Sequence, residues 1–222
     1  MRYLLIFLAG LLLLPSIKAQ KSFRYNFDRY TNEQGLSQGQ VFDINQDKTG
    51  RIWIATYSGG ITILDGQKEQ YLSVKDGLPS YSTTSLFLDE NERMWIGTAN
   101  GPCFYDGYSV KTPVITEPIQ KLFVWDIAAD SNGKIWMATD QGIWYVENDS
   151  VYVAHPSIIQ YPFYKISRQP KTGQIWFCSG VAGLRVLKED SLIKAETSIA
   201  ADMLIEDLFF TSDDHVFVAS TM

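Results

Sequence analysis

Few of the side chains in this sequence are of the types that usually perform chemistry. Its cysteines are Cys103 and Cys178, and its histidines are His155 and His215. Neither histidine has a cysteine or a carboxylate at the spacing of a metal site, so we predict no metal, no cofactor and no catalytic residue. The cysteines fall in different, non-adjacent repeats. We therefore expect both to be buried and unpaired, with a disulfide as the alternative.

Hydroxyl side chains recur three residues after an aromatic residue that is itself repeated. They belong to Thr56, Thr98, Thr139, Ser179 and Ser220. No reaction needs five equivalent nucleophiles, so we predict that these hydroxyls form structural hydrogen bonds.

The repeated aromatic residue defines a period of about 41 residues. It lies in "GRIWIAT", "ERMWIGT", "GKIWMAT", "GQIWFCS" and "DHVFVAS", at Trp53, Trp95, Trp136, Trp176 and Phe217. No segment after residue 20 keeps the 3.6-residue period of a helix over three turns. Each period instead contains four short runs typical of strands, separated by Gly, Asp and Asn. This pattern predicts an all-β fold, a β-propeller of four-stranded antiparallel blades with about five repeats.

The turn before each aromatic residue has a structural interpretation. "DKTG" at residues 47–50 and "DSNG" at residues 130–133 begin with Asp, whose carboxylate accepts hydrogen bonds from the turn backbone. They end with Gly, which adopts the left-handed conformation of such turns. The fourth repeat has Pro170 where the Asp is expected. We predict that the tryptophans pack between blades, with a ligand-stacking platform as the alternative.

The first twenty residues differ from the rest of the chain. Arg2 precedes an apolar run at residues 4–14, and small residues follow up to Ala19, which is typical of a signal peptide cleaved after Ala19. A permanent membrane anchor is the alternative. We thus expect a signal peptide at residues 1–20 and a propeller domain at residues 21–222. The remaining chain has 17 basic and 25 acidic residues, a net charge of -8, so nucleic acid is a poor candidate partner.

Two stretches carry a resemblance to a known family. "GLSQGQVFDINQDKTGRIWIATYSGGITILDG" at residues 35–66 and "GLPSYSTTSLFLDENERMWIGTANGPCFYDG" at residues 77–107 resemble the two-component regulator propeller repeat. Weaker copies extend the resemblance over roughly residues 27–222. It implies a periplasmic sensor region of a Bacteroidetes-type sensor or hybrid histidine kinase, whose ligands are often glycan fragments. It also implies that the kinase and any membrane contact belong to a C-terminal portion outside this chain, and it leaves room for a homodimer of the full-length receptor.

The repeat pattern is incomplete at both ends of the sequence. The fifth repeat stops after its aromatic strand, and "FRYNFDRY" at residues 23–30 has the pattern of a lone fourth strand. We therefore expect a truncated propeller with exposed blade edges near Met222. A five-bladed ring that lacks one strand is the alternative.

We predict a non-enzymatic sensor that binds a small molecule or an oligosaccharide. Its binding face is expected at the loops that enter the first strand of each blade and those that join the second strand to the third. The candidate ligand-binding residues in these loops are Tyr57, Tyr81, Asn100, Asp140, Gln141 and Tyr161. Two other functions stay open: a propeller glycosidase or polysaccharide lyase, for which the sequence singles out no carboxylate pair, and a protein-interaction scaffold.

A set of acids stands ten residues before the repeated aromatic residue. Asp43, Asp126 and Asp207 occupy this place, with Ser85 and Ile166 in the second and fourth repeats. We interpret the acids as solvated groups at the central channel, and a cation or sugar contact is the alternative. Because the set of acids is incomplete, a dedicated ion site is disfavoured.

Overall fold

The structure, a computed structural model, describes residues 29–66, 68–117, 121–188, 191–195 and 204–221. The predicted signal peptide and most of the predicted strand at residues 23–30 lie outside these residues. Within them, no helix is long and apolar enough to cross a membrane.

The described residues are organised in consecutive antiparallel sheets, here called blades 1 to 5. Blade 1 consists of β1 (Val41–Gln46), β2 (Ile52–Thr56), β3 (Ile61–Leu64) and β4 (Glu69–Leu72). Blade 2 consists of β5 (Thr83–Leu88), β6 (Met94–Thr98), β7 (Cys103–Tyr105) and β8 (Val110–Lys111). Blade 3 consists of β10 (Val124–Ala129), β11 (Ile135–Thr139), β12 (Gly142–Glu147) and β13 (Ser150–Val153), with β9 (Val114–Ile115) at its edge. Blade 4 consists of β14 (Lys165–Arg168), β15 (Ile175–Ser179), β16 (Gly183–Lys188) and β17 (Ser191–Lys194), and blade 5 of β18 (Leu204–Phe210) and β19 (Val216–Thr221).

The blades are arranged radially around their first strands. Inner strand β1 contacts β5, β5 contacts β10, β10 contacts β14, and β14 contacts β18. The apolar core lies in the spaces between successive blades rather than within one sheet. The array is open, because β18 and β1 do not pack as successive inner strands do. The predicted all-β fold with propeller-type blades is therefore confirmed.

Blade 3 has an edge strand that the repeat pattern does not predict. Strand β9 lies in the connection between blades 2 and 3 and pairs in parallel with β13. The backbone N–H of Val114 donates to the carbonyl of Asp149, and that of Thr116 to the carbonyl of Val151. This pairing covers backbone groups that an edge strand otherwise leaves open.

Three short 3₁₀ turns lie in the segments that lead into the inner strands of blades 1, 2 and 4. They span Asn32–Gln34, Val74–Asp76 and Pro156–Ile158. The first two end at Gly35 and Gly77, whose φ angles of 102° and 105° favour glycine. Leu36 and Leu78 follow these glycines and are buried. The Gly-Leu pairs of the sequence are therefore turn ends followed by an apolar anchor.

Three of the five repeated aromatic residues are buried, as the repeat predicts. Trp53, Trp95 and Trp136 are buried between blades, which confirms their packing function. Cys103 and Cys178 are free and buried, also as predicted. Phe217, the fifth member of the aromatic series, is 62% exposed.

Candidate ligand-binding face

The turn acids and the repeated hydroxyls hold the blades in shape. The carboxylates of Asp47, Asp89 and Asp130 each accept a hydrogen bond from the indole N–H six residues later, at 2.9 to 3.0 Å. At the opposite end of the same strands, the hydroxyls of Thr98 and Thr139 donate to the carbonyls of Gly101 and Gly142. The hydroxyls thus brace the loop between the second and third strands, as predicted.

A β-bulge near the start of four inner strands inserts one extra residue into each of them. The register shifts after the first paired residue in β1, β5 and β10, and after the second in β18. The residues inserted at these bulges are Phe42, Thr84, Trp125 and Glu206. In blade 4 the same place belongs to Tyr164, whose backbone N–H donates to the carbonyl of Cys178. Such bulges commonly re-aim side chains beside functional sites.

Three of these residues, Trp125, Tyr164 and Glu206, belong to the walls of a cavity between blades 3, 4 and 5. Its volume is about 520 Å³, and it is lined by Trp125, Tyr164, Gly180, Val181, Ile205 and Glu206. The rings of Trp125 and Tyr164 meet edge to face, with centroids 5.6 Å apart and planes at 74°. Phe123 also packs on Trp125, with centroids 4.2 Å apart. Trp125 thus has two aromatic neighbours, and we call this cavity the aromatic pocket.

The aromatic pocket lies at the end of the blades where we predict the ligand-binding face. None of the six predicted ligand-binding residues lines it. Tyr57 and Tyr81 are exposed in loops of blades 1 and 2, and the ring of Tyr57 lies 5.8 Å from that of Phe42. Tyr161 packs partly against the core between blades 3 and 4. These three tyrosines stay candidates for ligand contact.

The polar candidates join neighbouring loops to one another. Asp140 accepts a hydrogen bond from the backbone N–H of Phe123 at 2.8 Å. The side-chain amide of Gln141 donates to the carbonyl of Lys121, and that of Asn100 to the carbonyl of Pro79. In the described structure these side chains hold the segments that lead into the first strands.

The residues at the position of Asp43 in each blade differ from the set that counting back from the repeated aromatic residue predicts. In blade 4 the residue equivalent to Asp43 and Asp126 is Lys165, since Lys165 pairs with Cys178 as Asp126 pairs with Ala138. The turn after β14 is one residue longer than in the other blades. Counting ten residues back from Trp176 therefore gives Ile166, and the assignment of Ile166 to this position was wrong. The axial set is therefore Asp43, Ser85, Asp126, Lys165 and Asp207.

Two of these acids accept hydrogen bonds from the backbone of the next blade, which corrects their interpretation as solvated groups. Asp43 accepts a hydrogen bond from the N–H of Leu86 in blade 2 at 2.7 Å. Asp126 accepts one from the N–H of Ile166 in blade 4 at 3.0 Å and pairs with the ammonium group of Lys165 at 3.1 Å. The bulge brings each carboxylate within reach of the next inner strand. The acids therefore fasten neighbouring blades together.

Burial decides the protonation properties of this set. Burial raises the pKa of Asp126 and of Asp43, although hydrogen bonds and the charge of Lys165 oppose the shift. For Lys165, burial alone lowers the pKa, but the charge of Asp126, with smaller effects of Asp207 and Asp43, raises it overall. Lys165 thus compensates the acids of three blades.

Three of the repeats match a known family. The family described as "Two component regulator propeller" matches residues 35–58, 77–100 and 119–141. Over 44 residues the chain is 48% identical to histidine kinase P4 of Formosa agariphila, which is 20% of this chain and 3% of that protein.

Solved structures share the fold at low sequence identity. The extracellular domain described as belonging to the hybrid two-component system BT3049 of B. thetaiotaomicron superposes with a TM-score of 0.66 at 20% identity, over 83% of this chain and 26% of that one. PorZ of Porphyromonas gingivalis gives a TM-score of 0.64 at 18% identity, over 86% of this chain and 33% of that one. Virginiamycin B lyase of Staphylococcus aureus gives 0.63 at 16% identity, over 81% and 62%. The chain therefore spans about a quarter of the BT3049 domain and a third of PorZ.

Proposed function

Because this chain carries repeats of the two-component regulator propeller family, we propose that it is the propeller part of an extracellular sensor that binds a small ligand at its loop end. The aromatic pocket is the observation that carries this proposal. Its volume of about 520 Å³ lies within the range of small-molecule sites, roughly 300–1,000 Å³. Its walls come from three blades, so a ligand there contacts three repeats at once.

The lining of the pocket favours an uncharged ligand with a flat apolar surface, for which an oligosaccharide is our candidate. Trp125 and Tyr164 offer aromatic surface, and Val181 and Ile205 offer aliphatic surface. An aromatic side chain packs against the apolar face of a sugar ring, and the hydroxyl groups around the sugar ring stay free to form hydrogen bonds. The carboxylate of Glu206 at the pocket disfavours anionic ligands.

The rest of the proposal concerns the protein around the pocket. Residues 1–20 direct export into the periplasm, and the propeller itself performs no catalysis. The output is a histidine kinase outside the described residues, and membrane contact and dimerisation of a receptor belong to that portion. The repeats support this arrangement, since the matched relatives are described as a histidine kinase and as an extracellular domain of a two-component system.

Calorimetric titration with a panel of neutral oligosaccharides, combined with product analysis, tests the proposal. A ligand should bind without turnover, and Tyr164→Ala should weaken its binding roughly tenfold, since burying a tyrosine ring contributes on the order of 1–2 kcal/mol. Tyr108→Ala is the matched control, because Tyr108 is exposed in the β7–β8 turn at the opposite end of the blades.

Two results would overturn the proposal. Binding that both variants weaken equally would place the ligand elsewhere. Release of a cleaved product would instead support a glycosidase or a polysaccharide lyase.

A further inference from the structure

A second cavity lies in the groove between blades 3 and 4. Its volume is about 300 Å³, at the lower end of the range of small-molecule sites, roughly 300–1,000 Å³. Each of these two blades has a further blade on its other side, so the groove lies inside the array. Blade 3 contributes aromatic and basic side chains to it, and blade 4 contributes aliphatic ones. We call this cavity the basic groove, and its lining includes Lys134, Trp136, Tyr145, His155, Leu187 and Leu192.

Lys134 is a cation whose equivalents in blades 1 and 2 are paired with acids. Arg51 and Arg93 stand, like Lys134, two residues before the repeated tryptophan, and each binds the carboxylate four residues earlier at 2.7 Å. In the part of the chain that the structure describes, the ammonium group of Lys134 forms no such ion pair. It lies 3.7 Å from the ring centre of Tyr145 and 5.1 Å from that of Trp136. An ammonium group has three N–H donors, so one that faces aromatic rings keeps donors for a ligand.

Arg185 is a second cation in the interface between blades 3 and 4. By strand register it occupies the place of Cys103 in blade 2 and of Trp144 in blade 3, which are fully buried against the preceding blade. Arg185 therefore faces blade 3, on the same side of β16 as Leu187. Its Nε–H group is buried and has no hydrogen-bond partner among the described residues. Because an unsatisfied buried donor is costly, this N–H group calls for an acceptor.

His155 supplies a further donor at the edge of the basic groove. Its Nδ1 accepts the backbone N–H of Ser157 at 3.2 Å, so the proton of the neutral imidazole is on Nε2. Lys194 lies directly opposite Arg185 on β17 and adds a positive charge beside the groove. None of the described residues that line the groove is acidic. The groove is therefore locally basic in a chain whose net charge is -6.

We propose that the basic groove binds a small organic anion, a carboxylate carried on a ring. Lys134 and Arg185 hold the carboxylate, since an ammonium group is a point charge and a guanidinium group offers two parallel N–H donors. The ring of the ligand packs between Tyr145 of blade 3 and Leu187 of blade 4. An aromatic acid and a sugar acid share this chemistry. The site is separate from the aromatic pocket, because the two have no lining residue in common.

Thermal unfolding of the chain in the presence of small probes tests the proposal. The probes are benzoate with benzyl alcohol as its neutral counterpart, and glucuronate with glucose as its neutral counterpart. At least one carboxylate should stabilise the wild-type chain, and its neutral counterpart should bind at least tenfold more weakly. The carboxylate that binds more tightly identifies the ligand as an aromatic acid or a sugar acid. Binding of neither carboxylate overturns the proposal, as does a neutral counterpart that binds as tightly as its carboxylate.

Variants of the two cations place the carboxylate in the groove. Lys134→Met and Arg185→Met each remove one charge, and each should weaken binding roughly tenfold or more, since hydrogen bonds to charged groups contribute such a factor. Lys111→Met removes an exposed charge from β8 in blade 2 and should bind like the wild type.

The Arg185→Met variant also separates loss of binding from loss of fold. It removes a buried N–H group that has no partner, so without ligand it should unfold at a temperature no lower than the wild type. Stabilisation by the carboxylate should nevertheless be lost. Binding that neither Lys134→Met nor Arg185→Met weakens overturns the proposal, even where the wild-type chain binds the carboxylate.

Discussion

The carboxylate of Asp89 accepts a hydrogen bond from the indole N–H of Trp95 at 2.9 Å. Arg93 binds the same carboxylate oxygen at 2.7 Å, and its guanidinium group lies 5.2 Å from the centre of the Trp95 ring. One acid therefore fixes the turn, the arginine beside it and the tryptophan that packs against the next blade. The same pairing occurs at Asp47 with Trp53 and at Asp130 with Trp136.

Asp89→Ala is expected to destabilise the fold by about 1–3 kcal/mol, because it leaves the buried indole N–H of Trp95 without a partner. Chemical denaturation measures the loss. Asp106→Ala is the control: Asp106 also caps a turn, at the N–H groups of Tyr108 and Ser109, but holds no tryptophan. Equal losses in the two variants would show that the carboxylate acts on the turn alone.

Blade 4 lacks this pairing, because Gln and not Asp stands at the start of its turn, which is one residue longer. The backbone N–H of Gln169 donates to the carbonyl of Gln174, whereas that of Asp47 donates to the carbonyl of Arg51, one residue nearer. Gln169, not Pro170, therefore stands where the other blades have Asp, and its side chain accepts a hydrogen bond from Thr172. The indole N–H of Trp176 is buried and has no hydrogen-bond partner.

Gln169→Asp should supply that partner and stabilise the chain by about 0.5–1.5 kcal/mol in chemical denaturation. Pro170→Asp is the matched control, since it introduces the same carboxylate one position further along the turn, where it should bring no gain. A larger gain from Pro170→Asp would show that the alignment by sequence spacing is the correct one.

The sequence predicts the blades well because each strand and turn has a local signal. The alternation around Trp95 and the left-handed glycines depend on residues close in the chain. The bulge at Trp125 and the extra turn residue near Gln169 have no such local signal, because both depend on how one strand pairs with the next. The aromatic pocket and Lys165 follow from these two features, which is why spacing alone misses them.

The loss of folding stability at acid pH should depend on Asp47. Burial by itself raises the pKa of Asp47, but hydrogen bonds from Thr49, Trp53 and Arg51 outweigh it and lower the pKa to about 2. Its contribution to stability is therefore present above the ordinary value of 3.8 and is lost as the pH falls from there to about 2. Asp47→Asn should be less stable than the wild type at neutral pH, and the difference should shrink between pH 4 and pH 2. Thr49→Ala should show part of this effect, and parallel losses of stability in all three proteins would contradict the assignment.

The pair of Asp126 and Lys165 should be energetically coupled across blades 3 and 4. Lys165→Met leaves Asp126 with the N–H groups of Ile127 and Ile166 as its partners and with less compensation of its charge. We expect a destabilisation of about 1–2 kcal/mol at neutral pH, below the 3–5 kcal/mol of fully buried pairs, because the Lys165 side chain is 41% exposed.

A double-mutant cycle with Asp126→Asn measures the coupling, and pH supplies a second readout. Because burial raises the pKa of Asp126, this carboxyl takes up a proton at a higher pH than an ordinary aspartate, and the neutral form needs no counter-charge. The loss caused by Lys165→Met should therefore decrease as the pH falls through the titration of Asp126. In the Asp126→Asn background the same lysine substitution should cost little at any pH. Additive losses in the cycle, or a loss that does not change with pH, would mean that Lys165 stabilises the blades through packing of its aliphatic stem and not through its charge.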